Sequence, residues 1–181
     1  MLLRLNNCTT STDISRLVLR SVVRLLLIAG FLTAPSSFYS APVPQSAPNI
    51  GINGSLSANK IQRGRTVQAT VVMDIPSGYH VNSNRPLEKF LIPTQVKVET
   101  PKGIPVGLVS YPRAVLRSFK FSKNRVSVYE GRATMRFNLT VPRDVSIGSK
   151  EIKVRLRYQS CNDEVCFPPQ SREQSLWLNV E

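Results

Sequence analysis

Lys150-Glu-Ile-Lys-Val-Arg-Leu-Arg-Tyr158 puts an apolar residue at every second position, with charge between. A period of two is that of a strand with one dry face and one wet face, so Ile152, Val154, Leu156 and Tyr158 are predicted inward. The same reading holds upstream. Thr94-Gln-Val-Lys-Val-Glu-Thr100 turns Val96 and Val98 inward and Gln95, Lys97 and Glu99 outward, and Arg132-Ala-Thr-Met-Arg-Phe-Asn-Leu-Thr-Val141 alternates until Pro142 stops it. Thr66–Ile75 is β-branched and ends at the turn residues Pro76-Ser-Gly78; Val106–Tyr111 and Ser175–Val180 complete the set. Trp177, alternating with apolar neighbours, is assigned to the core. No segment after residue 50 holds a helical period. Seven or eight short strands in about 130 residues predict an all-β, antiparallel sandwich, with a closed barrel as the competing architecture. Gly78–Pro93 and Pro112–Arg125 are the longer irregular stretches, and loops of that length often carry function.

The chain has 181 residues, enough for one ordinary domain. Arg16, Arg20 and Arg24 precede the apolar run Leu25–Leu32, and Thr33-Ala-Pro-Ser-Ser37 follows it. That order is the order of a secretory signal, predicted over 1–41 with cleavage between 34 and 47. An apolar core of about ten residues is half of the roughly 20 that a spanning helix needs. An uncleaved anchor is the competing reading, but Arg20 and Arg24 interrupt it. Residues 42–50 read as a proline-rich linker, and 51–181 as the domain. An exported, periplasmic or secreted location follows.

The chain carries 24 Lys and Arg against 11 Asp and Glu. The charges are scattered along strands, as at Lys153, Arg155 and Arg157, and not packed in one run. This speaks against nucleic acid and for attraction to acidic partners or weak association with a membrane surface. His80 is the only histidine, so no metal site assembles around it; it is read as a satisfied polar residue in a loop. No cofactor is implied.

Removal of the signal takes Cys8 with it and leaves Cys161 and Cys166, within Tyr158-Gln-Ser-Cys-Asn-Asp-Glu-Val-Cys-Phe-Pro-Pro169. An even pair suits an exported protein. A hairpin with Asn162–Val165 at its tip sets the two cysteines opposite each other, within disulfide reach. Closing so short a loop stabilises by roughly 2 kcal/mol, against nearly 5 for a loop of about 100 residues. Spacing alone leaves a structural staple and a redox couple evenly matched. Asp163 and Glu164 between the sulfurs oppose thiolate formation, which suits a passive exchange partner over an activated nucleophile.

The motif resembles the active-site hairpin of the amino-terminal periplasmic domain of the thiol:disulfide interchange protein DsbD. The similarity extends through Gly78-Tyr-His-Val-Asn-Ser-Asn-Arg-Pro86, Phe90–Thr94 and Val128–Gly131. It implies an immunoglobulin-like sandwich whose cysteines relay electrons. They would pass from a thioredoxin-like domain, fed by a membrane transporter, to periplasmic thioredoxin-fold clients such as disulfide isomerases or a protein of cytochrome c maturation. It further implies Cys161 and Cys166 as the redox pair, Cys166 as the sulfur that forms the mixed disulfide, and a mobile cap loop whose aromatic is Phe119 or Phe121. Tyr158 and Phe167 flank the cysteines as core residues or further shields. There are four residues between the cysteines where the best-known members have five. Arg117, Ser118 and Lys120 stand where those members carry acidic residues. The sequence ends at Glu181, so the electron donor is expected on a separate polypeptide. The competing function is a non-enzymatic binding domain with a purely structural hairpin disulfide.

Overall fold

The computed structural model describes residues 46–181, all of them strand, turn or extended chain; the predicted signal and residues 42–45 of the linker lie outside that range. The strands are β1 (Gly51–Leu56), β2 (Lys60–Ile61), β3 (Thr66–Asp74), β4 (His80–Asn82), β5 (Gln95–Glu99) and β6 (Val115–Arg117). They continue with β7 (Val126–Tyr129), β8 (Arg132–Thr140), β9 (Gly148–Tyr158), β10 (Ser160–Cys161) and β11 (Gln170–Val180). They form three open sheets, ordered β1-β3-β8, β2-β11-β9-β5 and β10-β4-β7-β6. All pairings are antiparallel except β2 with β11.

Alternation decides the inner faces. Ala69, Val71 and Met73 on β3 and Ala133, Met135, Phe137 and Leu139 on β8 point into one core, where they meet Ile152, Val154, Leu156 and Tyr158 of β9 and Leu176, Leu178 and Val180 of β11. Two sheets that share one core are a sandwich, the predicted architecture. Gly54 marks where β1 runs close over β11: an added Cβ would stand 2.8 Å from Gln174 Cγ and from Leu176 Cδ2. Ile50, at the end of the predicted linker, is 2% exposed and belongs to this core.

Four expectations need correction. Trp177 is 58% exposed, because Leu176 and Leu178 take the inward positions of β11 and period two sends the residue between them outward, across from Glu151. Val106–Tyr111 makes only isolated bridges, Val106 to Leu139 and Ser110 to Arg136. The stretches 78–93 and 112–125 are not wholly irregular, since they hold β4 and β6. His80 lies in β4 and not in a loop. The third sheet is built largely from such two- to four-residue strands, and it carries the cysteine hairpin.

Candidate functional site

The long antiparallel pair β9–β11 closes at Tyr158 opposite Gln170, and the chain between them folds out as the cysteine hairpin. Cys161 bridges to Cys166 and they form a disulfide, with S–S 2.09 Å and Cα atoms 4.0 Å apart. The tip is an Asx turn: Asn162 Oδ1 accepts from the Glu164 and Val165 amides at 2.9 and 2.8 Å, and Asn162 N donates to Val165 O at 2.9 Å. At the base, Gln159 braces the hairpin. Its Oε1 accepts from Ile92 N and Asn82 Nδ2, both at 3.0 Å, and its Nε2 donates to Phe167 O at 3.1 Å. Sequence reasoning passed over Gln159, since a lone amide carries no spacing signal.

The two sulfurs differ in access. Cys161 is fully buried, whereas Cys166 is half-buried. Cys166 packs with Phe119 and Phe121 on a small apolar cluster of Leu91, Val126 and Val128. Phe119 and Phe121 sit in the loop of the β6–β7 hairpin, rings parallel within 7° at 5.3 Å between centroids. That loop is tied to the tip by Lys120 N donating to Asp163 O at 3.2 Å and by Lys120 Nζ at 3.2 Å from Glu164 Oε1. The residues expected as cap aromatics therefore share one cluster with Cys166. Tyr158 belongs to the main core, its hydroxyl 3.0 Å from Gln170 Oε1. Phe167 is buried with its ring 6.2 Å from Tyr79; neither belongs to the cluster of Cys166.

His80 is the residue the sequence reading placed wrongly. It is 2% exposed and stands directly across from Cys161 in the β4–β10 ladder. Its ring stacks on Phe119 at 3.9 Å and 12° and lies 6.1 Å from Phe121, so the three near-parallel rings form a triangle. Burial lowers its pKa from 6.5 to about 4, opposed by the negative charges of Glu130 and Asp163. Nε2 has no hydrogen-bond partner. Asn82 Oδ1 and Ser160 Oγ share that condition, and all three atoms fall on β4 and β10. A cavity of about 380 Å³ opens beside the ring, lined by Tyr79, Phe119, Glu130 and Asp163 among others. Arg117 fixes Glu130 at its rim through a two-pronged ion pair, 2.9 Å at each prong. Among the described residues, no group of three His, Cys, Asp or Glu is placed to hold a metal.

The profile of the family described as "Thiol:disulfide interchange protein DsbD, N-terminal" matches residues 54–177. The chain belongs to this family. The match covers Cys161, Cys166, His80 and the β6–β7 loop, and thiol–disulfide exchange is the general chemistry of this family. Solved structures similar to the chain include the reduced DsbD N-terminal domain of Neisseria meningitidis, at 21% identity and TM-score 0.46, covering 71% of this chain and 85% of that one. The N-terminal periplasmic domain of ScsB from Proteus mirabilis is similar at 10% identity and TM-score 0.47, covering 72% and 46%. A cohesin–dockerin complex structure from Clostridium thermocellum matches at 14% identity and TM-score 0.43, covering 72% and 99%. No curated protein matches the chain.

Proposed function

We propose that this domain is an exported electron relay in which Cys161 and Cys166 cycle between disulfide and dithiol. It takes electrons from a thioredoxin-fold donor fed by a membrane transporter and passes them to periplasmic client proteins. The unequal burial of the two sulfurs carries the reading. A half-buried Cys166 under two aromatic rings is the sulfur a docking thiolate reaches once the cap loop moves. The buried Cys161 is then the leaving group, and in the opposite direction the resolving thiol. A six-residue loop supplies too little stabilisation, roughly 2 kcal/mol, for a staple to be the better use of the pair.

Two measurements test it. Cys161→Ser leaves Cys166 unable to resolve, so a thioredoxin-fold protein is expected to accumulate as a mixed disulfide on Cys166; its absence from periplasmic extracts would remove the relay. The couple is expected between about −120 and −270 mV, among exchange proteins, while a value below about −300 mV marks a structural bond.

A further inference from the structure

We infer that His80 is the general base of the exchange, taking the proton from the Cys161 thiol as that sulfur closes the disulfide. The inference rests on the relay reading above and adds to it the group that handles the proton.

His80 and Cys161 are directly opposed on antiparallel strands, so their side chains leave the sheet on the same face, with Cβ atoms about 4.5–5.5 Å apart. Both are buried, at 2% and 0% exposure. Nε2 is free of any partner, and a buried ring nitrogen without one is rare enough to require a reason. A neutral imidazole has one donor and one acceptor nitrogen. In the disulfide state Cys161 has no proton to offer, and the acceptor stands idle. On reduction Cys161 gains an S–H in register with it.

The proton also needs an exit. The cavity beside the ring leads past Asp163 on the hairpin tip and Glu130 after β7. Arg117 of β6 is paired with Glu130, Lys120 of the cap loop with Glu164, and Tyr79 lines the wall. Glu130 and Asp163 are the charged groups that act on the ring. Burial keeps the imidazole neutral at physiological pH, so its lone pair is unoccupied, and the weak base that results holds the proton only in passing.

Cys166 thiolate attacks a client disulfide, forming a mixed disulfide and releasing one client thiolate. Cys161 sulfur then attacks Cys166 sulfur. Its proton passes to His80, the intramolecular disulfide forms, and the second client thiolate leaves. The dithiol loses two electrons and the client disulfide gains them. Imidazolium returns its proton to the departing thiolate or to water through the cavity. In the reverse direction the imidazolium protonates Cys161 as it leaves.

The aromatic disulfide 5,5′-dithiobis(2-nitrobenzoate) separates the two events, because each releases one coloured thiolate from the reduced protein. The first phase reports attack by Cys166, the second closure by Cys161. Wild type is expected to show a second-phase rate that is flat with pH from the His80 titration up to that of the thiol. In His80→Phe, which keeps a ring to stack on Phe119, that plateau is expected to vanish. The rate then rises about tenfold per pH unit with the thiolate fraction alone, and the ratio of second- to first-phase rates at neutral pH falls at least tenfold, the low end of general-base effects of about 10²–10⁴. Added imidazole is expected to restore the second phase in His80→Ala. A second phase in wild type that tracks thiolate without a plateau overturns the inference, and needs no variant to observe. No first phase in wild type overturns the exchange reading itself, and the inference with it.

Discussion

The core between the β1-β3-β8 and β2-β11-β9-β5 sheets buries Phe137, Met135, Leu156 and Tyr158 at 2% exposure or less and meets the Tyr158 hydroxyl with Gln170. The β10-β4-β7-β6 sheet is built otherwise. Its cluster has three buried apolar residues, Leu91, Val126 and Val128, with Phe119, Phe121 and Cys166 half-buried against them. Its strands β4 and β10 hold all three buried polar side-chain atoms that lack a partner among the described residues. The first region is one continuous apolar core, to which Val81 of β4 and Tyr129 of β7 also contribute; the second adds only a small apolar cluster, with unpartnered polar atoms beneath its cover. Local opening is drawn from the least stable part of a fold, so a disulfide that must be reached belongs where this one is.

The largest effect sought by breaking the comparison is in the main core. Phe137→Ala removes a ring from the middle of β8 and is expected to cost about 3–5 kcal/mol, read as a shift of the urea midpoint. Below that midpoint the rate at which dithiothreitol reduces the disulfide is expected to stay at the wild-type value. A large rise would mean that the two regions open as one.

Second in size is an acid limb that belongs to the site alone. Folded, the His80 imidazole stays neutral down to about pH 4; unfolded, it takes a proton near 6.5. Between those values the unfolded chain binds more protons, so stability falls as pH falls and levels off below about 4. The shift corresponds to about 3 kcal/mol at most. Carboxylates titrate at the lower end of the same window, so the quantity to measure is the wild type minus His80→Phe difference in unfolding free energy. It should shrink by that amount from pH 7 to pH 4. A difference flat with pH would place a protonated imidazole comfortably in the fold.

The two regions were not equally legible. Residues 152–158 alternate over enough positions for a period of two to be unmistakable, and the core lies where that period puts it. Trp177 failed for an instructive reason: hydrophobicity argued for the core, while its place between Leu176 and Leu178 argued for the surface, and in an antiparallel strand position prevails. The site sheet offers no such handle. β4, β6 and β10 are two or three residues long, too short to display a period, and they arise because longer-range partners hold them. Thr94 Oγ1 on Asn82 O at 2.6 Å and the Gln159 brace do this for β4. His80 therefore looked like part of the irregular stretch from Gly78 to Pro93. The one signal that pointed to it was that the only histidine falls within the Gly78–Pro86 stretch that resembles the family. The cysteine motif itself was plain, because a hairpin with a short polar tip needs only local chemistry.

Phe119→Ala sharpens the contrast at lower cost. Removing the Phe119 ring loses its stacking on His80 and Phe121, about 1 kcal/mol beyond the apolar surface it half buries. The reactivity change should be the larger one. Reduction of the disulfide by dithiothreitol is expected to accelerate severalfold, because Cys166 loses its cover without loss of the main core. An unchanged rate would show that the sulfur is already open to small thiols beneath the ring.

The smallest effect concerns what holds the cover down. Lys120 reaches Glu164 at 3.2 Å, yet their side chains are 78% and 60% exposed, and pairs so exposed contribute under about 1 kcal/mol. The backbone bond from Lys120 N to Asp163 O spans the same gap and survives any side-chain change. Lys120→Ala should therefore leave global stability nearly unchanged and raise the reduction rate at most about fivefold, the factor equivalent to 1 kcal/mol. Salt separates the two ties. At about 1 M ionic strength the screening length is near 3 Å, so the ion pair fades while the amide bond does not. The rate advantage of Lys120→Ala should then disappear at high salt, with the wild type rising to meet it. If the variant keeps its advantage there, the lysine covers the site by its bulk and not by its charge, and the cover is as apolar in its working as the core below it.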